Sequence, residues 1–250
     1  MDDTVALLEG VRLIYHEPRR ETLAVEGLDM SVKRGELVSV VGPSGCGKTS
    51  VLSLISGLYR PSAGKVTVLG VSPEEARDSI GYMLQTDRLL DWRTIEKNVL
   101  LGLEVKGRLN AQTRQYANEL LEKYGLGQFK EHYPRQLSGG MRQRAALVRT
   151  LAFSPELLLL DEPFSALDYQ TRLILEDEVR SIIKRGGYTA VLVTHDISEA
   201  IAMGDRVLVF SNRPARIKRE FSVDITGSAL ERRAAADFRR LFDEIWRELY

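Results

Sequence analysis

Gly42-Pro-Ser-Gly-Cys-Gly-Lys48-Thr49 decides how the chain is read. It fits Gly, four residues, Gly, Lys, then Ser or Thr. Before it runs Leu37-Val-Ser-Val-Val41, short, apolar and β-branched, which predicts a buried strand. After it, Thr49-Ser-Val-Leu-Ser-Leu-Ile-Ser56 predicts a helix stopped by Gly57. Strand, glycine loop and helix is the context in which such a loop binds phosphate. Gly42, Gly45 and Gly47 let the backbone curl and turn its N–H groups inward. The helix starting near Lys48 adds the positive end of its dipole. Lys48 can reach the outer phosphates of a nucleotide, and the Thr49 hydroxyl can ligate Mg²⁺. The bare pattern alone is equally a chance match in a glycine-rich turn; the flanking strand and helix favour phosphate binding.

The bulk numbers set bounds. The chain has 250 residues, the upper end of a single domain, and can bury roughly 75% of its unfolded surface. Lys+Arg and Asp+Glu are 35 each, so no overall charge draws a polyanion, and no nucleic-acid partner is expected. Cys46 is the one cysteine; it cannot form an internal disulfide, suits a reducing compartment, and reads as a small filler of the loop. The Met1 end is acidic and short of apolar residues, so no signal peptide is expected. The longest apolar runs, such as Leu157–Leu160, fall far short of the ~20 residues of a membrane span.

Along the chain, residues 4–35 alternate loosely and predict an antiparallel strand layer. Strands are predicted at Lys65–Leu69, Ile80–Leu84, Leu157–Leu160, Thr189–Val193 and Arg206–Phe210. Helices are predicted at Ile95–Val105, Ala111–Tyr124 and Gln170–Arg185. A final helix is predicted over about 229–249, with Leu230, Ala234, Phe238, Leu241, Ile245 and Leu249 on one stripe. Apolar strands alternating with helices imply a mostly parallel sheet covered on both faces, with ligands at its carboxyl edge. The helical stretch of about 88–150 reads as a subdomain inserted into this α/β core, all within one domain, 1–250.

Other polar groups stand at strand ends. Asp161 and Glu162 follow Leu157–Leu160: Asp161 can hold Mg²⁺ through water and Glu162 can polarise an attacking water. Alone, this pair is equally a charged turn. Ser138-Gly-Gly140 opens a helix and bares backbone donors, a second anion site; an ordinary capped helix accounts for it as well. Gln85 and His195 are polar tips at the same edge, suited to sensing a γ-phosphate, although a lone His there is as readily structural.

Taken together and in this order, Gly42–Thr49, Gln85, Leu137-Ser-Gly-Gly140, Asp161-Glu162, Ser165-Ala-Leu-Asp168 and His195 resemble the ATP-binding subunits of ABC transporters. They look like that family's Walker A, Q-loop, signature, Walker B, D-loop and H-switch. The resemblance covers nearly the whole chain. It implies a P-loop NTPase (RecA-like) core with an N-terminal antiparallel β layer and an inserted α-helical subdomain. It implies that ATP is held by Gly42, Pro43, Ser44, Gly45, Cys46, Gly47, Lys48, Thr49 and Ser50, with Tyr15 stacking on adenine. It implies that Ser138, Gly139, Gly140 and Asp168 serve the site from a second copy arranged head to tail. Mg²⁺ would lie at Thr49, Gln85 and Asp161, and Glu162, His195 and Gln85 would serve hydrolysis.

A narrower resemblance, to the nitrate/sulfonate/taurine importer group, rests on Leu89-Leu-Asp-Trp-Arg-Thr-Ile95, Asp161–Arg172 and Ser211-Asn-Arg-Pro214. Asp91 stands where that group usually has proline, Met141 where the wider family often has glutamine, and Ala215 where a glycine is common after Arg-Pro. This implies separate integral membrane permease subunits, an extracytoplasmic solute-binding protein acting indirectly, and a place on the cytoplasmic face of the membrane. Soluble ABC-type ATPases acting on nucleic acid or ribosomes usually carry two ATPase units or a long coiled coil; this chain has one phosphate loop and no sustained heptads.

Lys48→Ala is expected to weaken nucleotide binding itself. Isothermal calorimetry tests this, and unchanged ATP affinity would remove the phosphate-loop assignment.

Overall fold

The computed structural model describes residues 3–17, 20–165 and 167–250. Met1 and Asp2, on which the leader expectation partly rests, and Ala166 of the Ser165–Asp168 stretch lie outside the described residues.

The chain opens with β1 (Thr4–Glu17) and β2 (Arg20–Lys33), then β3 (Leu37–Val41), α1 (Lys48–Ile55), β4 (Ala63–Val68), the short α2 (Pro73–Ala76) and β5 (Ile80–Met83). Three helices follow, α3 (Ile95–Val105), α4 (Ala111–Lys123) and α5 (Gly139–Leu151). The remainder is β6 (Leu157–Asp161), α6 (Tyr169–Gly186), β7 (Thr189–Thr194), α7 (Ile197–Met203), β8 (Arg206–Phe210), β9 (Ile217–Ser222), α8 (Ala229–Ala234) and α9 (Ala236–Leu249).

Two sheets result. β2, β1 and β4 form an antiparallel sheet with β1 in the middle. The larger sheet runs β5-β6-β7-β3-β8-β9, parallel except for β9 against β8. Its central strands are buried on both faces, which is why they read as unbroken apolar runs. Alternate residues feed two cores. Val38, Val40, Leu157 and Leu159 pack toward α1 and the antiparallel sheet. Leu37, Val41, Leu158 and Leu160 pack toward the helical side. Among the described residues no helix is long and apolar enough to cross a membrane.

One expectation is corrected. The predicted final helix is two helices, broken at Ala235, whose backbone is extended. α8 packs on α6 and α7, whereas α9 packs on α7 and β8; a straight rod cannot reach both. Leu230 of the supposed stripe is consequently exposed, while Phe238, Leu241 and Ile245 are buried. In the large sheet β7 lies between β6, which carries Asp161, and β3, which precedes the phosphate loop.

The segment between β5 and α3 is held by one buried amide. Asn98 accepts from Leu90 N–H at 2.7 Å and donates to the carbonyls of Leu90, Arg93 and Thr94 at 3.0–3.1 Å. This fixes the loop that carries Trp92, a residue that is 75% exposed. Asn98→Ala leaves the Leu90 N–H and the Arg93 carbonyl without this partner, whereas the Leu90 and Thr94 carbonyls keep the backbone N–H groups of Arg93 and Asn98; leaving such groups unpaired costs about 1–3 kcal/mol apiece before relaxation. The expected result is a fall in unfolding free energy of at least about 2 kcal/mol, read as a lower denaturant midpoint at unchanged m-value.

Candidate functional site

The site is assembled at the carboxyl edge of the large sheet, where β3, β5, β6 and β7 end. The loop after β3 closes on itself. Cys46 N–H donates to the Pro43 carbonyl at 3.2 Å. Lys48 is buried and its ammonium donates to the carbonyls of Gly42 and Pro43 at 2.7 and 3.0 Å. Gly47 has φ +120°, and a Cβ there would meet the Ala24 carbonyl oxygen at 2.7 Å and Ala215 Cβ at 2.9 Å. Both conformation and close approach therefore demand glycine. Cys46 is buried in the loop, and burial pushes its thiol pKa up.

A cleft of about 520 Å³ opens over this loop, within the roughly 300–1,000 Å³ of small-molecule sites. Tyr15, Ser44, Gly45, Gly47, Lys48, Thr49, Ser50, Gln85 and Glu162 line it. The Tyr15 hydroxyl donates to Ser50 Oγ at 3.0 Å and its ring lies edge-to-face with Tyr59 at 5.1 Å. An aromatic side chain and a curled glycine loop lining one cleft suit a nucleoside triphosphate in polarity.

Glu162 lines the cleft, and Asp161 reaches it through Thr49. Thr49 Oγ1 donates to Asp161 Oδ1 at 3.1 Å. That contact crosses the tip of β7, reached because α1 starts directly from the loop. Burial raises the Asp161 pKa, opposed by the Thr49 hydrogen bond. The Tyr82 hydroxyl of β5 lies 3.4 Å from the other carboxylate oxygen. Hydroxyl and carboxylate oxygens of this kind suit Mg²⁺. Among the described residues no cluster of three or more His, Cys, Asp or Glu can hold a metal, so such an ion would need phosphate and water oxygens to complete its shell. The residues present fit a metal that arrives with a nucleotide.

Glu162 is the meeting point. Gln85 Nε2 donates to Glu162 Oε2 at 3.2 Å, and His195 Nδ1 lies 3.1 Å from the same oxygen. An ionised carboxylate only accepts, so the His195 contact places a hydrogen on Nδ1. Gln85 spends its amide nitrogen here, which leaves its amide oxygen for a cation. Glu162 sits at φ +43°, a backbone position L-residues avoid and which persists at functional sites when neighbours enforce it. Here its N–H donates to the Val193 carbonyl at 2.9 Å, while its carbonyl accepts from the Ser165 hydroxyl at 3.0 Å.

The structure does not bring every predicted residue into the cleft. Gly42, Pro43, Cys46, Asp161 and His195 are not in its lining, and neither are Ser138, Gly139, Gly140 and Asp168. Ser138 caps α5, accepting from Met141 N–H at 3.3 Å. Asp168 caps α6, accepting from Thr171 N–H at 3.1 Å, and that hydrogen bonding lowers its pKa. Gly140 is explained inside the chain, since a Cβ would meet Thr171 Cγ2 at 2.8 Å. Gly139 is not: its φ is ordinary and its nearest neighbour, Leu167 Cδ2, would lie at a comfortable 3.7 Å.

Sequence reasoning missed three lining residues, Thr22, Ala24 and Arg213, and the Tyr82 contact. Thr22 and Ala24 gave no signal, being ordinary strand residues. Arg213 lies in a stretch already singled out, Ser211–Pro214, without a role.

Comparisons with known proteins show the family. A family model described as ABC transporter matches residues 25–165. The uncharacterized ABC transporter ATP-binding protein YtlC of Bacillus subtilis is 48% identical over 245 residues, spanning 97% of this chain and 94% of that protein. The taurine import ATP-binding protein TauB of Ruegeria pomeroyi is 37% identical over 215 residues, 86% of this chain and 80% of that protein. Among solved structures, the dimeric ATP-binding cassette MJ0796 in a post-hydrolysis state bound to ADP and Pi superposes with a TM-score of 0.77 at 31% identity, covering 88% of this chain and all of that one. With its P-loop NTPase fold, the chain belongs to the ABC transporter family, as an ATP-binding subunit that couples ATP hydrolysis to transport.

Proposed function

We propose that this chain drives uptake of a small anion such as nitrate, a sulfonate or taurine through separate membrane permease subunits, from the cytoplasmic face of the membrane. A solute-binding protein would deliver the solute on the other side. The observation that carries the hydrolytic reading is the convergence of Gln85 and His195 on Glu162 beside the phosphate loop. Glu162 polarises the attacking water; His195 and Gln85 orient its carboxylate and report on the outer phosphate. Lys48 and the loop N–H groups of Gly42–Ser50 hold the phosphates, and Tyr15 faces the base. Mg²⁺ at Thr49, Asp161 and Gln85 would neutralise charge developing on the phosphates.

Two copies are proposed to meet head to tail, each supplying Ser138–Gly140 and Asp168 to the other's cleft. Two features support this. Gly139 has no reason within its own chain to be glycine, and a bare, partly exposed backbone at a helix N-terminus suits a partner's phosphate. MJ0796, similar to this chain, is a dimer. Import of an anion is supported by the likeness to taurine import proteins. Trp92, fixed by the Asn98-anchored loop that follows Gln85, is the proposed contact with the permease.

Glu162→Gln is expected to retain ATP binding and lose turnover by about 10²–10³, leaving a dimer stabilised by Mg-ATP. Light scattering decides: a monomer at saturating Mg-ATP overturns the arrangement. His195→Ala should slow hydrolysis with little change in ATP affinity; near-normal turnover would reduce His195 to a structural group. Co-purification with an integral membrane subunit tests the transport assignment, and an ATPase rate stimulated by nucleic acid would reverse it.

A further inference from the structure

Arg213 lies between β8 and β9 and is exposed. Its guanidinium reaches the phosphate loop, where Nε and Nη2 donate to the Gly45 carbonyl at 3.0 and 2.8 Å. The peptide so held joins Gly45 to Cys46. Its N–H, on the opposite side of a planar trans unit, donates to the Pro43 carbonyl at 3.2 Å. The peptide plane at the crown of the loop is thus fixed from both ends, one end from outside the loop.

The segment bearing Arg213 is itself anchored. Ala215 N–H donates to the Ala24 carbonyl at 2.8 Å, and Glu26 N–H donates to the Ala215 carbonyl at 3.2 Å. Ala215 is the residue whose Cβ crowds Gly47. One short segment therefore touches the phosphate loop at both Gly45 and Gly47.

Charge adds a second feature. Nearby arginines are neutralised: Arg206 pairs with Glu36 and Glu220, and Arg216 with Glu26. Arg213 has no carboxylate partner among the described residues, and it lines the cleft beside Lys48. A guanidinium carries five N–H donors. Two go to Gly45, and the remaining three are left with an unmatched positive charge at the rim.

We propose that Arg213 is a positioning residue for the nucleotide polyphosphate: it sets the Gly45–Cys46 peptide of the phosphate loop and supplies an unpaired cation at the cleft rim. The proposal rests on the reading of this cleft as the ATP site. Because Arg213 does not touch Glu162, Gln85 or His195, it acts on binding rather than on the hydrolytic step.

The test is ATP and ADP affinity by calorimetry, with steady-state hydrolysis, on wild type, Arg213→Ala and Arg213→Lys. For Arg213→Ala, affinity for both nucleotides should fall roughly tenfold, the scale of one charge-assisted hydrogen-bonding group. KM should rise to match and kcat at saturating ATP should stay within about twofold. Arg213→Lys keeps the charge without the planar fork. It should recover part of the affinity and the wild-type dependence on ionic strength, which Arg213→Ala flattens. A loop brace without an electrostatic role would leave that salt dependence unchanged in all three proteins, and this result overturns the proposal. Unchanged affinity in Arg213→Ala, or a loss confined to kcat, also overturns it. Lys48→Ala measured alongside separates two failures. Loss in Lys48→Ala without loss in Arg213→Ala removes only the role of Arg213; no loss in either removes the cleft as the ATP site.

Discussion

One carboxylate organises this molecule. Glu162 takes hydrogen bonds from Gln85, beyond β5, and His195, beyond β7, while itself following β6. Each group comes from the end of a different strand. Their meeting within 3.2 Å depends on the parallel register that brings those ends to one edge. Strained backbone at Glu162 is tolerated because the Val193 carbonyl on one side and Ser165 on the other hold it. The cost of such a conformation, about 1–3 kcal/mol, is of the size that a densely bonded surround can offset.

The C-terminal segment extends that support. α7 begins beside His195, with Asp196 capping it by accepting from Ser198 and Glu199 N–H. At its other end the carbonyls of Ala202 and Met203 accept from Arg232, which is fully buried, and Met203 also accepts from Arg180. Cations at a helix C-terminus satisfy orphan carbonyls and complement the dipole. Burial lowers the Arg232 pKa to about 10, the mark of a charge taken from water and retained by its carbonyl partners. α8 thus ties the helix after His195 at the end remote from the site, which makes the break at Ala235 intelligible: α8 serves α7, and α9 covers the hydrophobic side next to it.

Much of the site was legible because its chemistry is local. The phosphate loop needs glycines at fixed spacing, and Asp161-Glu162 advertise themselves after four leucines. What escaped notice depends on distant segments. Arg213 joins the loop across 168 residues of chain, and Thr22 and Ala24 enter only because β2 is drawn against the segment at Ala215. The predicted final helix failed for a related reason. Arg232 to Ala236 is good helix sequence, and only the need to pack on α6 and α7 and then on β8 breaks it.

By itself the sequence determined the element types, the phosphate loop and the order of the motifs, because apolar periodicity and glycine spacing act within a few residues. Tertiary structure decided which strand ends meet. It put β7 between β6 and β3, gathered Gln85, Glu162 and His195 at one edge, and left Ser138–Gly140 and Asp168 outside the cleft. Strand order is chosen by sheet packing between residues far apart in sequence, and no local pattern encodes it.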